Sequence, residues 1–154
     1  MSNHYATVYK KETGEIVQVG GFSSEPDFVE MNFAIKVDVY GGADHDVVDA
    51  PADPETHYVA VIDGVPTVVD KPELLVFVEN DKTTIQADGV DETTLTGLPD
   101  PCEIIIDDPD PLVETQVIQV TGGGFIFTAE DPGVYSIEVV RFPFLPWIVE
   151  ITAA

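Results

Sequence analysis

Few side chains in this sequence could do acid–base, nucleophilic or metal chemistry. The three histidines, His4, His45 and His57, do not stand at ligand spacing from a cysteine or from one another, so a zinc site is not expected. The single cysteine, Cys102, follows a proline and opens an apolar run, which favours a buried side chain over a catalytic thiol. No serine lies in a Gly-x-Ser-x-Gly motif. We therefore expect no catalytic residues and no enzymatic activity.

Glycine-rich and acidic stretches are the remaining candidates for ligand binding. TGGGF at 121–125 lacks the lysine and the following helix of a phosphate-binding loop, so it is predicted to be a loop or bulge between strands. Two acidic loops, 42–55 and 107–111, could offer the oxygen ligands that calcium prefers, but neither has EF-hand spacing. Solvated loops are the favoured interpretation and calcium is the alternative. No cofactor or metal ligand is assigned.

The charge of the chain restricts its partners. Asp and Glu number 29 against 6 Lys and Arg, which gives a net charge of −23 at pH 7. This charge repels nucleic-acid phosphates and anionic lipids, so neither nucleic acid nor a membrane is an expected partner. No apolar run approaches the roughly 18 residues of a membrane span, and the N-terminus lacks the apolar core of a signal peptide. A cation or a basic protein surface is favoured instead.

The first segment of the chain predicts a β-hairpin. HYATVY (4–9) and EIVQVG (15–20) alternate in side-chain character on either side of a turn that ends at Gly14, where a positive φ is expected. The stretch 28–40 has mixed periodicity, but Phe33, Ile35, Val37 and Val39 alternate at period two and its β-branched content favours a strand over a helix.

A second hairpin is predicted at 58–72. Its two apolar runs flank Asp63-Gly64, which readily supplies the positive φ angles of a type I′ turn. Pro66 follows the turn and indicates a short or edge second strand. The stretch 41–57, rich in Gly, Pro and Asp, is predicted to be a loop.

The rest of the chain shows short strands at roughly ten-residue spacing, which is typical of a β-sandwich or barrel. No convincing amphipathic helix appears, so we expect an all-β protein. We predict a β-rich N-terminal attachment region at 1–72 and a sandwich domain at 73–154. The strands predicted in the second domain are LLVFVE (74–79), TTIQA (83–87), TTLTG (93–97), CEIII (102–106), TQVIQV (115–120), FIFTA (125–129), VYSIEVV (134–140) and PWIVEIT (146–152).

EDPGVYSIEV (130–139) makes the sandwich prediction specific. In immunoglobulin-like sandwiches, a Tyr near the start of a late strand returns its hydroxyl to the backbone a few residues upstream, and a disulfide Cys follows two residues later. Tyr135 is predicted to be this corner residue, with Asp131 and Gly133 shaping the turn. Ile137 occupies the cysteine position, on the same face of the strand as Tyr135. We therefore predict a disulfide-free Ig-like sandwich.

Aromatic residues are concentrated in RFPFLPWIVEI (141–151). Phe142, Phe144 and Trp147 are interpreted as core residues near an edge strand. The alternative is an aromatic contact surface for a neighbouring subunit, since aromatic residues and Arg are enriched at the centres of protein interfaces.

Several segments resemble structural proteins of tailed bacteriophages. ADPETHYV (52–59) and VVDKP (68–72) are similar to a segment of small phage structural proteins. TTIQADGVDETTLTGLPDPCEIII (83–106) and EDPGVYSIEVVRFPFLPW (130–147) resemble the Ig-like modules of phage tail, fibre and capsid-decorating proteins. Together these segments cover a little over a third of the chain. The resemblance implies no catalytic residues.

The resemblance implies a non-enzymatic virion protein that is assembled in the host cytoplasm. We expect it to be tail-associated, at the tail tip, fibre base or neck, and to bind other phage structural proteins as a homo-oligomer within a symmetric particle. A capsid decoration protein is the first alternative. A carbohydrate-binding or adhesin module at the host surface is the second, because exposed aromatic residues on a rigid sandwich could stack on sugars.

Overall fold

The computed structural model describes residues 4–22 and 44–154. Within that part the secondary structure is almost entirely β, with no α-helix and one short 3₁₀ turn at Glu79–Asp81, so the predicted all-β class is confirmed. No helix among these residues is long and apolar enough to cross a membrane. The chain divides into two compact units, which we call unit 1 (residues 1–71) and unit 2 (residues 72–154).

Unit 1, where described, consists of two small antiparallel sheets. A three-stranded sheet has the order β2-β1-β3, and a hairpin forms the second sheet. Buried side chains of the unit include Val8, Tyr9, Ile16 and Val59. The strands are β1 (His4–Lys10), β2 (Ile16–Phe22), β3 (His45–Val48), β4 (His57–Ile62) and β5 (Val65–Asp70).

Both predicted hairpin turns are confirmed by their backbone angles. Asp63 and Gly64 have φ of 51° and 78°, and Gly14 has φ of 80°. A side chain at Gly14 would overlap the carbonyl oxygen of Val59. The two residues are held close together because the N–H of Val59 donates a hydrogen bond to the carbonyl of Gly14 at 2.9 Å. Glycine is therefore required both by the backbone conformation and by this close approach. Among the described strands β5 pairs with β4 alone, which agrees with the edge strand predicted from Pro66.

The loop predicted at 41–57 is wrong in part, because β3 lies within it. β3 pairs with β1 from Thr7 opposite Val48 to Lys10 opposite His45. The hydrogen-bonding partner of this short segment lies far away in sequence, and a local pattern of Gly, Pro and Asp does not reveal it. The strand predicted at 28–40 lies outside the described residues.

Unit 2 contains eight strands in two sheets. One sheet has five strands in the order β10-β9-β12-β13-β7, and the other has three in the order β11-β8-β6. All pairings are antiparallel except the parallel pair of β13 with β7. The strands are β6 (Phe77–Val78), β7 (Thr84–Ile85), β8 (Glu92–Thr96), β9 (Cys102–Asp107), β10 (Gln116–Val120), β11 (Gly124–Thr128), β12 (Gly133–Val140) and β13 (Trp147–Ala153).

The two sheets of unit 2 contribute to a single hydrophobic core. Leu95 of β8, Ile104 of β9, Ile137 of β12 and Ile151 of β13 are completely buried within one cluster. Along β12 every second residue is buried, as the period-two pattern predicted. This shared core gives unit 2 its sandwich-like character and fixes which side chains of each strand face outward.

The first two predicted strands of unit 2 are shorter than expected. β6 pairs with β8 only through Phe77 and Val78, and β7 pairs with β13 only through Thr84 and Ile85. Between them the 3₁₀ turn includes Asn80, whose φ of 57° is incompatible with a continuing strand. The apolar runs in the sequence are longer than the paired segments. Only two residues of β6 and two of β7 have a cross-strand partner.

Candidate functional site

The predicted tyrosine corner is present in unit 2. The hydroxyl of Tyr135 donates a hydrogen bond to the carbonyl oxygen of Asp131 at 2.9 Å. The ring of Phe127, on the opposite sheet, meets the Tyr135 ring edge-on, with centroids 5.2 Å apart. Ile137, at the position of the expected cysteine, is completely buried. Tyr135 therefore has a structural role that ties the turn before β12 to the core.

An acidic cleft of about 220 Å³ lies beside this corner. Its lining includes Tyr135 and the carboxylates of Asp108, Glu114, Glu130 and Asp131. Burial raises the pKa of Tyr135, and the nearby carboxylates of Asp108 and Asp131 raise it further. The hydroxyl therefore stays protonated and keeps donating to the backbone. The charge of the cleft suits a cationic group, but the described residues contain no group of three side chains that could hold a metal ion.

The first candidate calcium loop, 42–55, uses its carboxylates to hold its own backbone. All but the first two of its residues are described. Asp49 accepts a hydrogen bond from the backbone N–H of Tyr5 at 2.7 Å, and Asp53 accepts one from Glu55 at 2.9 Å. These contacts account for carboxylates for which the sequence favours a solvated loop and leaves calcium as the alternative.

The second candidate calcium loop, 107–111, shows the same use of carboxylates. Asp107 accepts a hydrogen bond from the hydroxyl of Thr115 at 2.6 Å, and Asp108 accepts one from the backbone N–H of Asp110 at 2.8 Å. Contacts of this kind are typical of Asx turns, in which the side chain substitutes for a backbone acceptor. The loop geometry is thereby explained without an ion.

The three histidines are separated by the fold. His4 begins β1, whereas His45 pairs with the last residue of that strand. The Nδ1 of His57 accepts from the backbone N–H of Asp53 at 3.1 Å, and its Nε2 lies 3.1 Å from a carboxylate oxygen of Asp70. His57 thus links the turn before β4 to the end of β5.

Cys102 has the buried position expected from its sequence context. Its side chain is 3% exposed and belongs to the core of unit 2. Burial raises the pKa of the thiol, and the negative charge of Asp100 raises it further, which outweighs the opposing effect of Arg141. A thiol with a raised pKa is a poor nucleophile, because the reactive species is the thiolate. Cys102 acts as a small apolar core residue.

The glycine-rich run at 121–125 forms the connection between β10 and β11, as predicted. Gly122 and Gly123 have φ of 91° and 79°. The carbonyl of Gly123 accepts a hydrogen bond from the N–H of Leu98 at 3.1 Å. The run therefore closes a turn between two sheets.

The aromatic run at 141–151 packs largely inward. Phe144 and Trp147 are partly buried and pack against the core of unit 2, and Phe142 is also partly buried. Ile148, by contrast, is 60% exposed. For Phe144 and Trp147 the structure favours the core interpretation over the contact surface.

The most distinctive surface of unit 2 is the outer face of the five-stranded sheet. Cross-strand register aligns Val117, Ile105, Glu138 and Ile148 in one row, which we call the outer row, across β10, β9, β12 and β13. Val117 and Ile148 are 59% and 60% exposed. This row is not predicted by the sequence pattern. Period-two alternation shows which residues share a face of one strand, but it does not give the order of the strands.

Comparison with known proteins gives no match. No family model, no curated protein and no solved structure matches the chain.

Proposed function

We propose that the protein is a non-enzymatic structural protein of a tailed-phage virion, associated with the tail, and that it acts through protein–protein contacts. The proposal combines the phage-like segments of the sequence with the fold of unit 2. The segment 83–106 contributes β7, β8 and β9, and the segment 130–147 contributes β12 and the start of β13. The segments that resemble phage Ig-like modules thus form much of the two sheets.

We further propose that unit 2 is an Ig-like module. In that fold, strands A, B and E share one sheet and strands C, F and G share the other, with a conserved Tyr near the start of strand F. β6, β8 and β11 would correspond to A, B and E, and β9, β12 and β13 to C, F and G. The observation that carries the proposal is the hydrogen bond from Tyr135 to Asp131, because it stands at the start of the strand in the F position.

The surface chemistry supports binding to a protein. Unit 2 places exposed aliphatic side chains, such as Val117 and Ile148, on a sheet whose opposite face is fixed by the core. A rigid face of this kind needs little ordering on association, which lowers the cost of binding. The like charge of the chain suits repeated copies held apart on a symmetric particle. Partners are other virion proteins, and a homo-oligomer would follow from the particle's symmetry.

The test is to mix the purified full chain with phage particles that lack it. We expect stoichiometric binding and restored particle composition, measured by sedimentation and quantitative gel analysis. Electron microscopy of gold-labelled protein should place the bound copies on the tail. Label on the capsid would replace the tail assignment with capsid decoration. No binding to particles, together with retention on a column of host-surface polysaccharide, would replace the proposal with a carbohydrate-binding function.

A further inference from the structure

We propose that the outer face of the five-stranded sheet is the docking surface of unit 2, and that its occupant is a protein surface combining aliphatic side chains with Lys or Arg. This inference rests on the proposed function and specifies which surface carries it. The observation behind it is a cross-strand row that is apolar at three of its four positions and has carboxylates on both sides.

The outer row is apolar at three of its four positions. Val117 lies opposite Ile105, Ile105 opposite Glu138, and Glu138 opposite Ile148. Neighbouring strands lie about 4.8 Å apart, so the row spans about 14 Å across the sheet. Val140 lies two residues beyond Glu138 on the same face of β12. It is diagonal to Ile105 and extends the apolar area there. Exposed aliphatic side chains arranged in this way have a position suited to the centre of an interface.

Carboxylates lie on both sides of the outer row. On one side, Glu103 lies next to Val140 and accepts a hydrogen bond from the side-chain amide of Gln119 at 2.8 Å. On the other side, Asp107 and Glu150 both lie opposite Ser136. The strands of this sheet contribute no Lys or Arg to the face. The charges that the strands themselves place on the face are therefore all negative, and a nearby cation, Arg141, follows β12 and lies at the edge beside Glu103 and Val140.

The charge distribution indicates whether the occupant of this surface is a second copy of the chain or a different protein. A two-fold symmetric contact would bring this face against itself, and Glu138 lies in the middle of the outer row. Carboxylates from both copies would then be brought together and desolvated without a counter-charge, which is unfavourable. A partner carrying Lys or Arg beside aliphatic residues would instead satisfy both the charge and the apolar area.

The outer face of the three-stranded sheet provides an internal control. It also has exposed apolar residues, with Phe77 60% and Ile126 56% exposed. Their cross-strand neighbours are the neutral residues Thr96 and Thr94, and the nearest carboxylate on the sheet is that of Glu92 at its end. This face lacks the combination of apolar row and flanking charge. The two outer faces differ in the charge around their apolar residues, but these residues are exposed to a similar degree.

Binding of full-length variants to particles that lack the protein tests the inference. Ile148→Glu should weaken binding at least about tenfold, because it desolvates a carboxylate where an aliphatic side chain is expected to pack against the partner. Ile126→Glu is the matched control, with the same substitution at nearly the same exposure, and should change the affinity less than about twofold. Glu138→Lys should weaken binding similarly to Ile148→Glu, whereas Glu92→Lys should have little effect. Thermal unfolding of each variant checks that the fold is retained.

Each outcome is informative. Normal binding of both outer-row variants would overturn the docking surface while leaving the proposed function intact. Weakened binding of Ile126→Glu alone would move the docking surface to the other sheet. If light scattering shows that the wild type dimerises and that Ile148→Glu abolishes dimerisation, the occupant is a second copy and the inference is wrong. Failure of the wild type to bind any particle would overturn both proposals.

Discussion

The side-chain hydroxyl of Tyr135 and the backbone carbonyl of Asp131 are joined by a 2.9 Å hydrogen bond across the turn that precedes β12. The bond fixes the entry of the chain into the central strand of unit 2, which pairs with β9 on one side and β13 on the other. This one polar contact therefore helps to orient β12, which lies at the centre of the five-stranded sheet. Its loss should be measurable in the stability of the whole unit.

We expect Tyr135→Phe to lower the free energy of unfolding by about 1 kcal/mol, because it removes this bond while keeping the ring. The loss should approach about 3 kcal/mol if the Asp131 carbonyl stays buried without a donor. Urea denaturation followed by circular dichroism measures the difference. Ser136→Ala, which removes a hydroxyl from the outward side of the same strand, should change the stability by less than about 0.5 kcal/mol. Equal stability of Tyr135→Phe and wild type would remove the corner's structural role.

Stability should fall at high pH, partly through Tyr135. Its pKa is raised in the folded chain, mainly by burial, from the ordinary value of 10.0. Above about pH 10 the unfolded chain loses this proton while the folded chain retains it, so rising pH favours unfolding. The stabilising effect is complete below that pH and is lost as pH rises through the folded pKa. Urea midpoints at about pH 9 and 11 measure the decline.

Tyr135→Phe should show a shallower decline than the wild type over the same range. Tyr9 also has a pKa raised by burial and by Asp46, and it contributes equally to both proteins. An equally steep decline in both would show that Tyr135 does not contribute to the alkaline transition.

Gly97→Ala should be more destabilising than Gly122→Ala. Both glycines have a left-handed φ, 76° and 91°, which costs an alanine about 1–2 kcal/mol. At Gly97 the added Cβ would also overlap the carbonyl oxygen of Leu75, whereas at Gly122 it would meet nothing within 4 Å. The difference in unfolding free energy, from urea denaturation, isolates the close backbone approach. Equal losses would mean that the Leu75 segment moves aside freely.

A fragment of residues 72–154 should fold alone. Unit 2 has its own core and its own two sheets. We expect a β-type circular dichroism spectrum and a single cooperative thermal transition. A fragment of 75–154 lacks the Pro72 carbonyl that accepts from the N–H of Leu145 at 2.8 Å and also the buried core side chain of Leu74, so it should be less stable by more than about 2 kcal/mol. An unfolded 72–154 fragment would show that unit 2 depends on unit 1.

The strands of unit 2 could be predicted from sequence because their turns are locally encoded. Asp131-Pro132-Gly133 leads into β12, and the glycine-rich turn at 121–123 precedes β11, at the positions the sequence indicated. The tyrosine corner was predictable for the same reason, since the hydroxyl of Tyr135 contacts a carbonyl only four residues upstream. Information within about ten residues was sufficient for these features.

Features that depend on distant partners were not predictable. β3 was assigned to a loop because its partner, β1, lies about 40 residues away and compensates for weak local preference. The outer row was missed because Val117, Ile105 and Ile148 become neighbours only through the strand order of the sheet. Alternation places each of them on an outward face, but the pairing of four strands, with β12 between β9 and β13, is needed to align them in one row.

The parallel pairing of β7 with β13 has a mechanical consequence. The N–H of Thr152 donates to the carbonyl of Thr83, that of Ala154 to Ile85, and that of Ala87 to Ala154, at 2.8 to 3.0 Å. Because the strands are parallel, a pull on residue 72 and on residue 154 in opposite directions slides them past each other. The three bonds then share the load and must break together, unlike the bonds of a hairpin that is unzipped from its end. We therefore expect this pair of strands to resist tension along the chain better than a hairpin with the same number of hydrogen bonds.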